Sequence, residues 1–301
     1  MLELIRGQGV EKISQQEYAS IFSIFGGSLL MDPTFILKLE EIANIKTTYY
    51  AKYINNKPTF AIPTWGDYLA GDRKALKKTG LSRYVDLGRP TIIIPSDNKN
   101  PFSCKFKTNY LIKSTLVNNA TTIKNRYIAL FKGNDKDGIS TKFKRDLRRY
   151  WKHFEKNNGT IKNIQQLHTS EISIIFRNLH KKRWGVYPPA NYYLEETFKT
   201  LKEFLFGYIL YLDNCPVSIQ ITYLSQNKLY TNVEYINSGM DIIKSTNNIN
   251  LGNLLIDLNT SRAEKISQKN KTELIYSFGL YNVPYKERWC NGENLHKVGI
   301  L

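Results

Sequence analysis

Apolar positions along this chain change their spacing several times, and each change predicts an element. After Asp32-Pro33, a capping residue followed by a first-turn proline, Phe35, Leu39 and Ile42 recur at helical spacing, so a helix is predicted over 33–44. Two strand-like runs follow, 47–54 (TTYYAKYI) and 58–64 (PTFAIPT). Asn55-Asn56-Lys57 joins them, which is a hairpin signal because asparagine tolerates the left-handed turn, and Pro63 suggests an edge or a strand end. Residues 65–91 carry no regular pattern, and 91–94 reads as a short strand. In the second half Ser140 caps a predicted helix running to about Asn157, and 160–167 reads as a strand. Thr169 or Ser170 caps the next helix, whose buried face is Ile172, Ile175, Phe176 and Leu179; Pro188-Pro189 ends that segment, and 192–205 is a further helix candidate. Residues 206–213 and 216–223 form a hairpin around Asp213-Asn214-Cys215. In its second strand Val217, Ile219, Ile221 and Tyr223 alternate with Ser218, Gln220 and Thr222, the period of a half-buried strand. A strand over 229–235, a leucine-rich helix over 250–268 and a last strand over 274–278 complete the series.

Composition narrows the class. With 301 residues, 42% hydrophobic and 13% aromatic, the chain describes a packed globular protein with ample core, in two domains or one large one. Both halves read as helix followed by hairpin, which divides the chain into 1–130 and 131–301. The formal net charge of +17 points to an anionic partner: nucleic acid, an anionic membrane surface or an acidic substrate. The longest apolar runs, such as 205–212, fall far short of the roughly 20 residues that span a bilayer. The N-terminal residues lack a long apolar stretch, so no signal peptide is expected. Cys104, Cys215 and Cys290 are far apart and not in CxxC spacing, and His153, His168, His180 and His296 lack metal-ligand spacing, so no metal site is expected. HExxH, GxSxG, Walker and dinucleotide-binding patterns are absent from the sequence, leaving metalloprotease, serine hydrolase, ATPase and dehydrogenase readings unsupported.

Charge and chemistry concentrate in a few stretches. Between Lys132 and Lys162 there are ten Lys/Arg against four Asp/Glu. On a helical wheel Lys142, Arg145, Arg149, Lys152 and Lys156 form one stripe. Phe143, Leu147, Tyr150, Trp151 and Phe154 form another, roughly 160° away. The basic stripe is either a solvated face or a surface for lipid head groups or tRNA phosphates. Lys181-Lys182-Arg183-Trp184 sets cations beside an aromatic ring, suited to holding phosphate and stacking, or else to offsetting a helix dipole. Glu234 shares one face of its strand with Asn232 and Tyr230 and is the candidate general base. Ser277, Tyr285, Lys286 and Arg288 cluster at the end of the last strand, where Lys286 is the candidate for stabilising developing negative charge. The 247–253 segment puts Gly252 at a helix N-terminus, a place where backbone N–H groups can meet phosphate.

The order of strands, glycine, helix and strand over 206–289, with "KFKRDLRRYWKHF" and "LIYSFGLYNVPYKERW", resembles the GNAT-like domain of Fem-type transferases. "FGGSLLMDP", "LHKKRWG" and "YKERW" make the whole chain similar to the bacterial Mig-fourteen family of macrophage-inducible resistance proteins. The resemblance implies an α/β (α+β) fold built from two GNAT-like halves. It also implies virulence-associated resistance to cationic antimicrobial peptides, and a place in the bacterial cytoplasm, peripheral on the cytoplasmic face of the inner membrane. It carries no agreed catalytic residues. An acyl- or aminoacyltransferase acting on the envelope, with acyl-CoA or aminoacyl-tRNA as donor, is the expectation. The spaced-glycine loop of ordinary acetyl-CoA enzymes is missing, which argues against tight acetyl-CoA binding. Glu234 and Lys286 are the expected catalytic pair, and Trp184, Ser277, Tyr285 and Arg288 the expected substrate contacts. The alternatives are a non-catalytic membrane scaffold and a nucleic-acid-binding regulator; without a helix-turn-helix pair, sequence-specific DNA binding is not expected.

Overall fold

The structure is a computed structural model describing residues 9–134, 138–245 and 248–299. In chain order it contains β1 (Val10–Ile13), α1 (Gln15–Phe25), α2 (Pro33–Ala43), β2 (Thr48–Ile54), β3 (Lys57–Trp65), β4 (Tyr68–Leu69), α3 (Arg73–Lys78), β5 (Thr108–Leu111) and β6 (Ala120–Phe131). There follow α4 (Thr141–Lys156), β7 (Gly159–Asn163), α5 (Thr169–Trp184), α6 (Leu194–Thr200), β8 (Leu205–Phe206), β9 (Tyr208–Leu212), β10 (Cys215–Gln226), β11 (Tyr230–Met240), α7 (Leu251–Asn270), β12 (Glu273–Leu280) and β13 (Cys290–Val298).

The local signals act as their chemistry dictates. Asp32 caps α2 by accepting from the N–H groups of Thr34 and Phe35, and Ser140 caps α4 by accepting from Phe143. Asn55 and Asn56 both take positive φ between β2 and β3, as do Asp213 and Asn214 between β9 and β10. Several expectations differ in detail: 91–94 forms only a bridge between Ile92 and Leu111, and β11 runs on to Met240. The 160–167 strand stops at Asn163, whose side chain accepts from the N–H of Gln165 and opens a 3-10 turn. Neither Thr169 nor Ser170 caps α5; His168 holds that position without a side-chain bond. Of 192–205 only 194–200 is α-helical, between two 3-10 turns.

A small sheet runs β1-β2-β3-β4. The large sheet runs β5-β13-β6-β12-β11-β10-β9-β7, with β8 beside β10. The expected division at 130/131 falls within β6, whose residues pair with β12 and β13, so strands on both sides of it share one sheet. β10 is not half-buried. Ser218, Gln220 and Thr222 are as inaccessible as Val217, Ile219, Ile221 and Tyr223, because both faces of the sheet are covered. On one face α5 and the N-terminal segments pack, with Phe35 edge-on to Phe204 at 4.9 Å and 5.7 Å from Tyr223. On the other lie α7 and α4, whose Leu251, Leu254, Leu255, Phe143, Leu147 and Phe154 close over Phe206, Val217, Val233 and Tyr276. The inner stripe predicted for α4 is this buried face, with Trp151 at its edge donating to Asp257 at 2.7 Å. Lys142, Arg145, Arg149, Lys152 and Lys156 are all exposed.

Candidate functional site: a cleft where two parallel strands part

β11 and β12 run parallel from Tyr230↔Glu273 to Glu234↔Ser277 and then separate. Past that point β11 continues against β10, and β12 turns to β6. α7 connects the two strands across one face of the sheet, so its first turn stands over the gap. A cleft of about 340 Å³ opens there, lined by Arg183, Gln220, Tyr235, Asn253, Tyr285 and Arg288 together with Asn250 and Gly252 of the helix start.

Each wall residue is held from behind. Asn250 caps α7 by accepting from the N–H of Asn253 at 3.0 Å, and the indole N–H of Trp289, wholly buried, donates to Asn253 Oδ1 at 3.1 Å. Gln220 Oε1 accepts from Asn259 at 2.9 Å. Arg183, at the last turn of α5, donates to Ser238 Oγ and lies 4.7 Å over the ring of Trp184. Tyr235 donates to the same Ser238 hydroxyl at 2.7 Å. Arg288 lies 5.5 Å over the ring of Phe143. Burial and the neighbouring Tyr235 push the Tyr285 phenol well above its ordinary value, so it stays a neutral O–H donor. The cleft therefore offers two guanidinium groups, phenols and a helix N-terminus, a set suited to an anion such as phosphate.

The expected site residues divide among three places. Tyr285 and Arg288 line the cleft, and Trp184 sits at its rim beneath Arg183, donating to Ser238 O at 3.2 Å. Glu234 and Ser277 are a register pair at the last bonded step before the strands part, with their side chains on the sheet face opposite Tyr235. There Glu234 is buried, and its Oε1 accepts from both the N–H (3.0 Å) and the hydroxyl of Thr91. Lys286 lies in the 3-10 turn Pro284–Arg288, where its ammonium donates to Phe278 O and Leu280 O, both at 2.6 Å. The structure thus sets Glu234 and Lys286 on different supports rather than facing each other across one cleft. Gln220, Tyr235 and Asn253 are wall residues not among the expected substrate contacts, and Arg183 joins them from the basic run before Trp184. Tyr235 was one register step away from the face that sequence reasoning singled out.

Desolvation raises the Glu234 carboxyl from an ordinary 4.5 to about 7, against the lowering effect of hydrogen bonds from Thr91 and Ser277. Its folded pKa exceeds its unfolded one, so between these values the folded state holds a proton that the unfolded state has released. Stability from this group is complete below about pH 4.5, falls as pH rises to about 7 and is level above. Glu234→Gln keeps the acceptor for Thr91 and removes the titration. We expect urea denaturation to show the variant gaining on the wild type across that window, and more stable than it above the window by at most about 3 kcal/mol. A stability difference between variant and wild type that stays constant across the window would refute the assignment.

A mixed sheet whose central parallel strands part beneath the start of their connecting helix defines a GNAT-like, Fem-type acyltransferase fold. The match to known proteins narrows this: the Mig-14 family model covers residues 32–298, and the chain belongs to that family. Among solved structures FemX aligns over 97% of both chains with a TM-score of 0.52 at 10% identity. L-PGS from Bacillus licheniformis aligns over 96% of this chain and 93% of its own with a TM-score of 0.51 at 11% identity. A tandem GNAT protein from the clavulanic acid biosynthesis pathway aligns over 96% and 97%, with a TM-score of 0.45 at 9% identity. At such identities the likeness is one of fold. No curated protein sequence matches the chain. No helix among the described residues is long and apolar enough to cross a membrane.

Proposed function

We propose that the protein confers resistance to cationic antimicrobial peptides by transferring an acyl or aminoacyl group to a component of the bacterial envelope while attached peripherally to the cytoplasmic face of the inner membrane. The observation that carries this reading is the cleft between β11 and β12, with Arg183 and Arg288 beside the N-terminus of α7. Acyl-CoA and aminoacyl-tRNA share the chemistry such a wall would recognise, an activated carbonyl tethered to phosphate. Arg183, Arg288 and the first N–H groups of α7 would hold the phosphate, and Tyr285 would donate a hydrogen bond next to it. The acceptor amine or hydroxyl would add to the carbonyl, and the donor's sulfur or oxygen would leave, taking up the proton that the acceptor gives up. In this reading Glu234 and Lys286 support the cleft, Glu234 by fixing the point where the strands part and Lys286 by fixing the turn that carries Tyr285 and Arg288. Family membership supports the biological role, and the Fem-type fold supports the reaction class. The test is mass spectrometry of lipid A, phospholipids and peptidoglycan from cells with and without the protein: a mass increment equal to an acyl or aminoacyl group is expected. A second reading, a non-catalytic scaffold on a transferase fold, is favoured by one feature: no carboxylate or histidine stands among the described lining residues. Resistance with every envelope component unmodified would select it.

The stripe on α4 supports the membrane part of the reading. Five cations face outward; the acids on the same helix are Asp146, 3.5 Å from Arg149, and the exposed Glu155. Reversing Lys142, Arg145, Lys152 and Lys156 to glutamate is expected to weaken binding to phosphatidylglycerol vesicles by on the order of tenfold or more at low salt, with the melting temperature unchanged because these side chains are exposed. Unchanged sedimentation with vesicles would show the stripe to be a solvated face only.

A further inference from the structure

Beside the cleft the chain exposes large apolar side chains from two turns. Trp184 is 54% exposed, Val186 62% and Tyr187 49%; Ile242 is 53% and Ile243 86% exposed. The first group follows the end of α5. There Gly185 takes a left-handed φ of 74°, and the Val186 carbonyl contacts His180 Nδ1 at 2.9 Å, turning the chain outward. The second group follows β11. Asp241 Oδ1 accepts from the N–H groups of Ile243 and Lys244 at 3.2 and 3.3 Å, a tight turn that holds both isoleucines out. Lys182 reaches from α5 to Asp241 Oδ2 at 2.8 Å and joins the turns side by side. An isoleucine held at a turn tip forfeits burial that the core would supply.

The charges around this patch share a sign. Lys181, Lys182, Arg183 and Lys244 surround it, and Asp241 is the acid among them, already paired. Lys181 lies 4.7 Å over the Tyr187 ring, and Arg183 likewise over Trp184. Tyr192, also exposed, stands instead at an acidic turn, with Glu195 and Glu196 following it. Ile243 and Lys244 reach on to a groove shared with His153 and Asn157 at the end of α4, so the patch borders the helix that carries the basic stripe. Apolar tips, an indole and a phenol ringed by cations match the interface of an anionic bilayer, where aliphatic groups enter the acyl boundary and cations meet head groups.

We infer that the turns 184–187 and 241–244 form the surface that inserts into the interface of an anionic bilayer, holding the neighbouring cleft at the lipid head groups. The inference rests on the proposed action at the envelope and deepens it: the acceptor is a membrane lipid head group, met at the mouth beside Arg183 and Tyr285. The α4 stripe attracts the protein, and the patch anchors it.

The test uses the full chain with vesicles of phosphatidylglycerol and phosphatidylethanolamine. Ile242→Ser with Ile243→Ser is expected to weaken vesicle binding by about tenfold or more, to make the remaining binding far more salt-sensitive, and to leave the melting temperature unchanged. Independently, a nitrobenzoxadiazole label on Ile243→Cys, in a Cys215→Ser background because Cys215 is the exposed native thiol, should shift to the blue when vesicles are added. Wild-type affinity in the double variant, or a label that does not shift, overturns the proposal. So does a wild-type dimer in solution that the double variant abolishes, which would give the patch to a second copy. Arg288→Gln separates this from the transferase reading: it should bind vesicles like the wild type and lose lipid modification. Failure of the isoleucine test alone removes the bilayer contact and leaves the cleft chemistry standing.

Discussion

Lys286→Met is expected to destabilise the protein by about 1–3 kcal/mol, an effect large enough to lower its cellular level. The ammonium is buried and donates to two carbonyls of β12, Phe278 O and Leu280 O, at the point where that strand leaves β11. Methionine has nearly the same length but no donor. Leu280 O would keep the N–H of Asn282 at 3.0 Å, so the acceptor at risk is the buried Phe278 O, and one carbonyl left unpaired in the interior costs about 1–3 kcal/mol. The turn Pro284–Arg288 that carries Tyr285 and Arg288 would lose its tie to the strand. Urea denaturation of the purified variant measures the loss. A Lys286→Met protein as stable as the wild type but inactive would restore Lys286 as a group acting on substrate. Burial holds its pKa below the usual lysine value, which agrees with a donor sealed in the fold.

Arg288→Gln should reduce envelope modification by about 10- to 10²-fold while leaving the fold intact, since a hydrogen bond to a charged group such as the donor's phosphate contributes about 1.5–3 kcal/mol. Arg288 is chosen before Arg183 because Arg183 also holds Ser238 and Trp184, so its loss would disturb the wall. Arg288 packs over Phe143 without a hydrogen bond among the described ones, and glutamine keeps part of that packing. Resistance to a cationic peptide such as polymyxin, measured in cells at matched protein levels, should fall with the modification. Full resistance in the variant would remove the cleft from the function and favour the scaffold reading. Glu234→Gln serves as the comparison: in the proposed reading it keeps resistance, because its carboxyl is sealed under Thr91.

Much of the secondary structure was legible because its causes are local. Asp32-Pro33, Ser140, Asn55-Asn56 and Asp213-Asn214 act within a few residues of themselves, and the elements they start or join lie where the sequence places them. The two-striped α4 follows from its own periodicity. The order of β9, β10, β11, α7 and β12, and the family-like endings around Trp184 and Trp289, were enough to reach the fold and the family. Strands β6 and β13 were not legible. Residues such as Lys124, Asn125 and Arg126, or Asn291, Gly292 and Glu293, show no apolar alternation, because these strands are stabilised by pairing with each other and with β12 more than by a buried face.

The site is where local reasoning ends. Sequence alone determined that Glu234, Ser277, Tyr285, Lys286 and Arg288 would gather near the end of the β11–α7–β12 unit, since strand order and length bring them there. Which way each side chain points, and what reaches it first, was decided by tertiary structure. One residue of register sends Glu234 to the face that Thr91 seals and Tyr235 to the face of the cleft. Past the point where β11 and β12 part, Phe278 O and Leu280 O accept from Lys286, so a cation that could have met substrate is held by the backbone. Arg183 joins Arg288 from a helix some hundred residues earlier because α5 packs along β11. A buried polar group is taken by the nearest partner the fold provides, and only packing between distant segments decides whether that partner is protein or substrate.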